Sequence, residues 1–256
     1  NMSRAPLVVP PHVRWGSRLG NIELWDGLYG LGYKGFNPVS VDAGEVALEY
    51  GITREDQDRW AYGSQMKYAK AFSEGKFKIG EELMRVEIPQ KKGPPIVLEQ
   101  DEFPKPDTTL EKLSKLPLVY GSPTVTAGNA PGLDTGATAV IIMSEKKAKE
   151  KGLRPLAKIL STVATATTPR LIAVIPGLTI QAALKKAEMT LEQIDLIEIN
   201  EAFAAMPLVS DKILADGDPE KMKQLLEKTN VNGGAIAIGH PVGASGARIL
   251  MTLIYE

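Results

Sequence analysis

The sequence predicts an α/β fold, because helix and strand patterns alternate along its 256 residues. A helix pattern opens at Thr53 and runs to about Ser73. The segment 137–145 holds small and β-branched residues with no charge before its last position, which is typical of a buried strand. The segment 194–199 alternates between apolar and polar residues, as a half-buried strand does.

The composition is that of an ordinary globular protein, with 43% hydrophobic residues, 24% charged residues and a net charge of −1. This balance argues against a nucleic-acid or anionic-membrane partner. No apolar run approaches the roughly 18 residues that span a bilayer, and we expect no signal peptide, so a cytoplasmic enzyme is the default interpretation. The chain contains no cysteine, which excludes disulfides, cysteine metal sites and a cysteine nucleophile within it.

The first 118 residues are polar and punctuated by proline and glycine. Their clearest element is the helix with Thr53 as N-cap, acidic residues in its first turn and a stop near Gly75. His12 lies in a loop-like segment and is interpreted as a surface residue. Residues 89–123 are rich in proline and charge and contain no long periodic run. Their lysines could meet phosphates, although a solvated loop is the more common explanation for any single one of them.

The following elements are short. Glycines 128, 132 and 136 punctuate a turn-rich run before the predicted strand 137–145. Lys146 to Lys151 predicts a helix ended by Gly152, and Leu156 to about Val163 predicts a further strand. Thr179 to Met189 predicts an amphipathic helix, and Thr190 to Gln193 matches a capping box that opens another short helix.

Asn200 follows the predicted strand 194–199, at the kind of strand end that carries functional residues in α/β folds. An asparagine in such a place often ties a turn through a local hydrogen bond. The residues around it, taken alone, leave both interpretations open.

The glycine-rich stretch 231–248 carries His240, one of only two histidines in the sequence. Pro241 restricts the backbone after this histidine, which makes His240 a candidate acid, base or hydrogen-bond donor near neutral pH. The residues from Gly243 to Arg248 predict the entry to a helix whose free N–H groups could face an oxyanion. A glycine-rich turn with a structural histidine is the alternative.

Three motifs resemble those of the thiolase family. Asn232 to Arg248 is similar to its histidine motif, Asn200 to Ala205 to its Asn-Glu-Ala-Phe-Ala motif, and Thr124 to Ala130 to a third motif, all in the family's order. The resemblance implies a thiolase fold, layered αβαβα, incomplete here and with an inserted loop domain. It implies a loop domain that covers coenzyme A at 1–118, the last part of the N-terminal half at 119–152, and a truncated C-terminal half at 153–256.

The resemblance also implies acyl transfer to and from coenzyme A, by thiolysis of 3-oxoacyl-CoA or condensation of acetyl-CoA. Asn200 and His240 would be catalytic, forming an oxyanion hole in which the asparagine holds a water. The substrate-binding residues would be Ala127, Gly128, Phe203 and Gly239. We expect coenzyme A thioesters as substrates, no bound cofactor and no metal, and a homodimer or homotetramer.

Three departures from the family pattern bear on function. Both catalytic cysteines of the family are missing, so we expect a chain truncated at both ends and inactive alone. Pro131 replaces a family serine near the pantetheine, and the segment 116–118 lacks a family arginine near the adenine. The alternative is a non-catalytic thiolase-like subunit or scaffold in a heteromeric complex.

Overall fold

The computed structural model describes residues 2–17, 19–28 and 37–256. Residue 1, residue 18 and residues 29–36 of the predicted loop domain lie outside the described residues. Helices provide most of the regular structure: α1 Val39–Glu49, α2 Arg54–Ser73, α3 Leu110–Ser114, α4 Glu145–Glu150, α5 Ile175–Ala187, α6 Ala205–Ala215, α7 Pro219–Lys228, α8 Ala235–Ile238 and α9 Val242–Tyr255. Within the described part of the chain, no helix is both long and apolar enough to cross a membrane.

The regular strands form two antiparallel pairs. Strand β1, Leu7–Val8, pairs with β2, Trp25–Asp26, and β3, Val86–Ile88, pairs with β4, Ile96–Leu98. Short 3-10 helices cover Met2–Arg4, Pro11–Trp15, Pro169–Leu171 and Leu191–Gln193. The β3–β4 pair falls partly within residues 89–123, for which the sequence predicts no regular element.

Helix α6 lies at the centre of the larger core. Its side chains are apolar and buried around most of its circumference, which is the pattern of a helix enclosed by other elements. Helices α1, α5 and α7 pack against it. The α5 crossing is close because Gly177 has no side chain, and a Cβ there would lie 3.1 Å from the Cα of Ser210. This packing fixes the segment immediately before α6, which carries Asn200.

Helix α2 confirms the predicted helix at both ends. Thr53 caps it by accepting from the backbone N–H of Asp56, and the Asp56 carboxylate accepts from the Thr53 backbone, which completes a capping box. Its buried face combines apolar residues with Gln57, Asp58 and Ser64. Helix α2 packs against α3 and α8, and its polar face supplies hydrogen bonds to the C-terminal part of the chain.

Four other predicted helices are present. The helix ended by Gly152 spans Glu145–Glu150, and the capping box at Thr190 opens the 3-10 helix Leu191–Gln193. Helix α9 begins directly after Pro241. Helix α5 begins four residues before the predicted start at Thr179, because Pro176 is well suited to a first helical turn.

Two predicted strands are wrong. Neither 137–145 nor 156–163 forms a strand or pairs with one among the described residues, Glu145 already belongs to α4, and Ile141 and Leu156 are 88% and 73% exposed. An apolar, β-branched run becomes a strand only where a partner supplies the ladder of hydrogen bonds. The segment 194–199 shows only a small part of the predicted strand pairing. One of its residues, Ile197, forms an isolated parallel bridge, to Thr229.

Helices α1, α6 and α7 have no counterpart in the sequence interpretation. In α1, Gly44 lies in the middle of the helix, where glycine lowers helix propensity. A Cβ at Gly44 would lie 2.4 Å from the Oγ of Ser122, so the glycine is needed for packing. Tertiary contact therefore overrides local propensity at this position.

Gly233 and Gly75 provide a matched test of the contact between α2 and the C-terminal part. Both have positive φ, +77° and +70°, but a Cβ at Gly233 would lie 2.4 Å from the backbone oxygen of Ser64, whereas nothing lies within 4 Å at Gly75. We expect Gly75→Ala to cost about 1–2 kcal/mol of backbone strain. Gly233→Ala should cost about 1–3 kcal/mol more through overpacking. Urea unfolding midpoints measure both, and equal losses would contradict the proposed close approach.

Candidate active site

Asn200 is held at the end of an extended segment. The Ile197 N–H donates to the Lys228 carbonyl at 3.0 Å, and the Asn230 N–H donates to the Ile197 carbonyl at 2.9 Å. The Asn230 side chain continues this pairing, because it accepts from the Ile199 N–H and donates to the Ile199 carbonyl, both at 2.8 Å. The backbone next to Asn200 is therefore fixed on both sides of Ile199.

A backbone hydrogen bond to Asp134 and the conformation of Gly239 fix the position of His240. Its N–H donates to the Asp134 Oδ2 at 2.7 Å. Gly239, with φ +100°, brings the chain against the same carboxylate, which would lie 2.7 Å from a Cβ at that position. Only glycine accommodates both the backbone angle and the approach. The Asp134 carboxylate therefore fixes the position of the His240 backbone.

Asn200 and His240 meet side by side. The Asn200 Nδ2 lies 3.3 Å from the His240 Nε2 and 3.4 Å from its Nδ1. Nearly equal distances to both ring nitrogens place the amide out of the ring plane, so it does not form a well-directed hydrogen bond to either one. The Asn200 Oδ1 is buried and has no hydrogen-bond partner among the described residues. A buried unpaired acceptor is costly, and here it is available to a water or a substrate.

Ser245 contacts one of the two ring nitrogens of His240. The Ser245 Oγ lies 2.6 Å from the Nδ1 of His240 and 3.2 Å from the Pro241 carbonyl. The hydroxyl has a single proton, which it donates either to the Pro241 carbonyl or to Nδ1, and only donation to Nδ1 requires the proton of the neutral ring to lie on Nε2. In that case the neutral ring can donate from Nε2 in the ring plane.

The surroundings of His240 keep it neutral. Burial lowers the pKa of His240, and the positive charge of Arg248 lowers this pKa further, while Asp134 raises it by a smaller amount. The ordinary histidine pKa of about 6.5 is thus displaced downward, so the ring is uncharged at pH 7. The arrangement provides a neutral N–H donor beside a buried amide, at the N-terminus of α9.

Glu201 connects this site to α2. The carboxylate is completely buried and accepts four hydrogen bonds, from the Trp60 Nε1 at 2.9 Å, the Asn230 Nδ2 at 3.0 Å, the Ser64 Oγ at 2.8 Å and the Ile236 N–H at 3.0 Å. Gly234 makes room for it, since a Cβ there would lie 2.5 Å from the carboxyl carbon. Glu201 is therefore structural, and it joins the segments that carry Asn200 and His240.

The third motif is attached to the second. The Ala204 N–H donates to the Asn129 carbonyl at 3.0 Å, and the Asn129 side chain donates to Asp58 at 2.9 Å. The same run continues to Asp134 beside His240. All three motifs thus converge on one region of the molecule.

The predicted substrate-binding residues are distributed around this region. Gly239 adjoins His240, and Phe203 packs against the larger core. Ala127 is exposed, and Gly128 packs closely against Leu113 and Leu116. Within the described ranges, no hydrogen bond joins Ala127 or Gly128 to the Asn200–His240 pair.

A cavity of about 480 Å³ lies elsewhere, between α2, α6 and α7. Its lining includes Trp60, Lys67 and Met222 but neither Asn200 nor His240. The cavity is therefore separate from the paired side chains.

Sequence reasoning missed the roles of Ser245, Glu201 and Asp134. The first two stand within recognised motifs, and a charged residue among apolar neighbours, as at Glu201, indicates a buried and fully paired group. Asp134 lies in a turn-rich run, and no local pattern distinguishes it.

Two family models together match most of this chain. Residues 1–146 match the model of the thiolase N-terminal domain, and residues 153–256 match that of the thiolase C-terminal domain. The acetyl-CoA acetyltransferases of Cupriavidus necator and Pseudomonas aeruginosa are 46% and 43% identical over 100% of this chain and 63% of their own length. The chain therefore spans less than two thirds of these relatives.

Solved structures of related enzymes are also similar to this chain. The Bacillus anthracis acetyl-CoA acetyltransferase aligns with a TM-score of 0.89 and 38% identity, over 100% of this chain and 62% of that one. The human mitochondrial 3-ketoacyl-CoA thiolase aligns with a TM-score of 0.85 and 39% identity, over 99% of this chain and 62% of that one. The α/β architecture is that of the thiolase fold, and the chain belongs to the thiolase family.

Proposed function

We propose that this chain provides an oxyanion hole of a thiolase, which transfers acyl groups to and from coenzyme A. The observation that carries the proposal is the side-by-side placement of Asn200 and His240, and the proposal assigns the proton of the neutral ring to Nε2, with the Ser245 hydroxyl donating to Nδ1. Condensation and thiolysis both develop negative charge on a thioester oxygen. His240 donates directly to that oxygen. The unpaired Oδ1 of Asn200 accepts a hydrogen bond from a water, and the same water donates to the thioester oxygen.

The chain does not contain the nucleophile. Thiolase chemistry needs a thiolate to carry the acyl group and a base to move a proton at carbon, and no cysteine is present in the 256 residues. These groups therefore have to come from protein outside this chain. The 256 residues alone are inactive in this proposal.

The remaining features of the proposal follow from the family. Residues 1–118 form the loop domain that covers coenzyme A, 119–152 complete the N-terminal half, and 153–256 belong to the C-terminal half. Ala127, Gly128, Phe203 and Gly239 line the acyl-CoA path. Coenzyme A thioesters are substrates rather than bound cofactors, no metal takes part, and the assembly is a cytoplasmic homodimer or homotetramer.

The absence of cysteine also favours a second candidate, a non-catalytic thiolase-like subunit of a heteromeric complex. Pro131, where the family has a serine, is consistent with altered contacts to the pantetheine. In this candidate, Asn200 and His240 serve only to hold the fold together.

Mass and activity measured together separate the two candidates. We expect the protein isolated from cells to exceed 27.7 kDa under denaturing conditions and to cleave acetoacetyl-CoA with free coenzyme A. The 256 residues alone should show no thiolysis above background, because they contain no thiol. A cellular mass of 27.7 kDa without activity would support the non-catalytic subunit. Thiolysis by the 256 residues alone would overturn the assignment of the nucleophile.

Removal of the donors should impair catalysis in the cysteine-bearing protein. We expect His240→Ala to lower kcat by about 10²–10³-fold, because one oxyanion donor is lost. Asn200→Ala should cause a loss of similar order through the displaced water. His12→Ala, which removes the other histidine of the chain, is the matched control and should leave kcat unchanged. Full activity of His240→Ala would contradict the oxyanion-hole role.

Ser245→Ala should change the tautomer of His240. In this proposal the serine hydroxyl donates to Nδ1, so its removal allows the ring proton to occupy either nitrogen. A long-range ¹H–¹⁵N spectrum of the native chain above pH 7 should show a protonated Nε2, whereas Ser245→Ala should show a mixture. An Nδ1-protonated ring in the native chain would reverse the assignment of the hydroxyl proton.

A further inference from the structure

Two contacts join the Asn200 segment to helix α9 and its entry. Glu198 and Asn200 lie two residues apart on an extended segment, so their side chains share a face. Ser245 and Arg248 lie three residues apart on α9 and also share a face. The first contact is formed by Asn200, His240 and Ser245, and the second by Arg248 and Glu198.

The second contact joins the Arg248 guanidinium to the Glu198 carboxyl group in a buried setting. The Arg248 Nη1 lies 3.7 Å from the Glu198 Oε2, and the two side chains are 14% and 5% exposed. In an exposed pair such as Lys115 with Glu111, both side chains are more than two thirds exposed, and pairs of this kind contribute little to stability. Burial gives the Arg248–Glu198 pair a much larger effect on its surroundings.

Several acidic groups interact with Arg248. Glu82, Asp101, Glu198 and Glu201 all interact with it electrostatically. The Arg248 Nη2 and the Glu198 Oε2 have no hydrogen-bond partner among the residues described. Burial raises the pKa of Glu198 to about 8, Arg248 opposes this rise, and Glu201 and Glu256 add to it while Lys67 opposes it. With a pKa of about 8, the Glu198 carboxyl is mostly protonated at pH 7, so Arg248 faces a largely neutral acid and the contact is not optimised for stability alone.

The charge of Arg248 also acts on His240. Of the charged groups that face the imidazole, Arg248 on α9 disfavours the protonated ring and Asp134 favours it, and burial disfavours it most. Ser245 contributes a neutral hydroxyl at Nδ1. An uncharged imidazole is the form that the proposed oxyanion hole requires.

We propose that Arg248 is a positioning residue of the active site. Its pairing with Glu198 fixes the separation of Asn200 from His240, and its positive charge opposes a second positive charge on the imidazole. The functional meaning of this role rests on the proposed oxyanion hole, whereas the geometry and the electrostatics can be tested without catalysis.

The test uses nuclear magnetic resonance of the full chain. Only His12 and His240 give imidazole signals, and a His12→Gln variant assigns them. We expect Arg248→Gln to raise the titration midpoint of His240 by roughly 0.5–1 pH unit. It should also weaken the nuclear Overhauser contact between the Asn200 amide protons and the His240 ring.

Arg54→Gln is the matched control. Arg54 forms another largely buried pair, to Asp58 at 2.8 Å with side chains 18% and 7% exposed, and it does not contribute to the pKa of His240. We expect this variant to lose stability without moving the midpoint of His240. An unchanged midpoint in Arg248→Gln, or an equal shift in Arg54→Gln, would overturn the proposal.

Arg248→Lys keeps the test decisive if Arg248→Gln does not fold. Lysine retains the charge but not the planar fork, so the midpoint should stay low while the Asn200–His240 contact weakens. A raised midpoint or an undiminished contact in Arg248→Lys would count against the proposal. Neither readout depends on thiolysis, so failure of the proposed function would leave this result interpretable.

Discussion

The buried carboxylate of Glu201 is the group on which the rest of the structure depends. It carries a charge in the interior, where an isolated carboxylate is strongly unfavourable, and it is tolerated because four donors surround it. Those donors come from α2, from Asn230 and from the first turn of α8. The backbone on either side of Glu201 leads to Asn200 and to α6. Satisfying one charge therefore brings the loop region, the extended segment and the histidine stretch into a single arrangement.

The site is built from groups of opposite electrostatic character. Asp134 holds the His240 backbone and favours a charged ring, while burial and Arg248 favour a neutral one. The neutral form is favoured, so the ring can donate one hydrogen bond without bringing a full charge into the proposed oxyanion hole. The buried Oδ1 of Asn200 stays unpaired within the described chain, which is a local cost typical of groups that have to bind something transiently.

The sequence predicted those features that depend on local chemistry. The capping box at Thr53, the stop at Gly152 and the helix after Pro241 need only a few neighbouring residues, and all three are present. The motifs indicated Asn200 and His240, which lie together. The strands 137–145 and 156–163 were wrong because strand formation depends on a partner. The roles of Asp134 and Arg248 could not be predicted, since each depends on a contact with a distant segment.

Two of the donors to Glu201 are synthesised well before Glu201 itself. Trp60 and Ser64 precede Glu201 by 141 and 137 residues. At a synthesis rate of about 5–20 residues per second, α2 is made roughly 7–28 s before its acceptor exists. Closing so long a loop costs about 1.4 kcal/mol more than closing the 29 residues between Glu201 and Asn230. During that interval Ser64 and Gln65, whose later partners are Glu201 and the Ile236 carbonyl, are left to hydrogen-bond to water, so the face that later packs against the C-terminal part is partly polar before its partner exists.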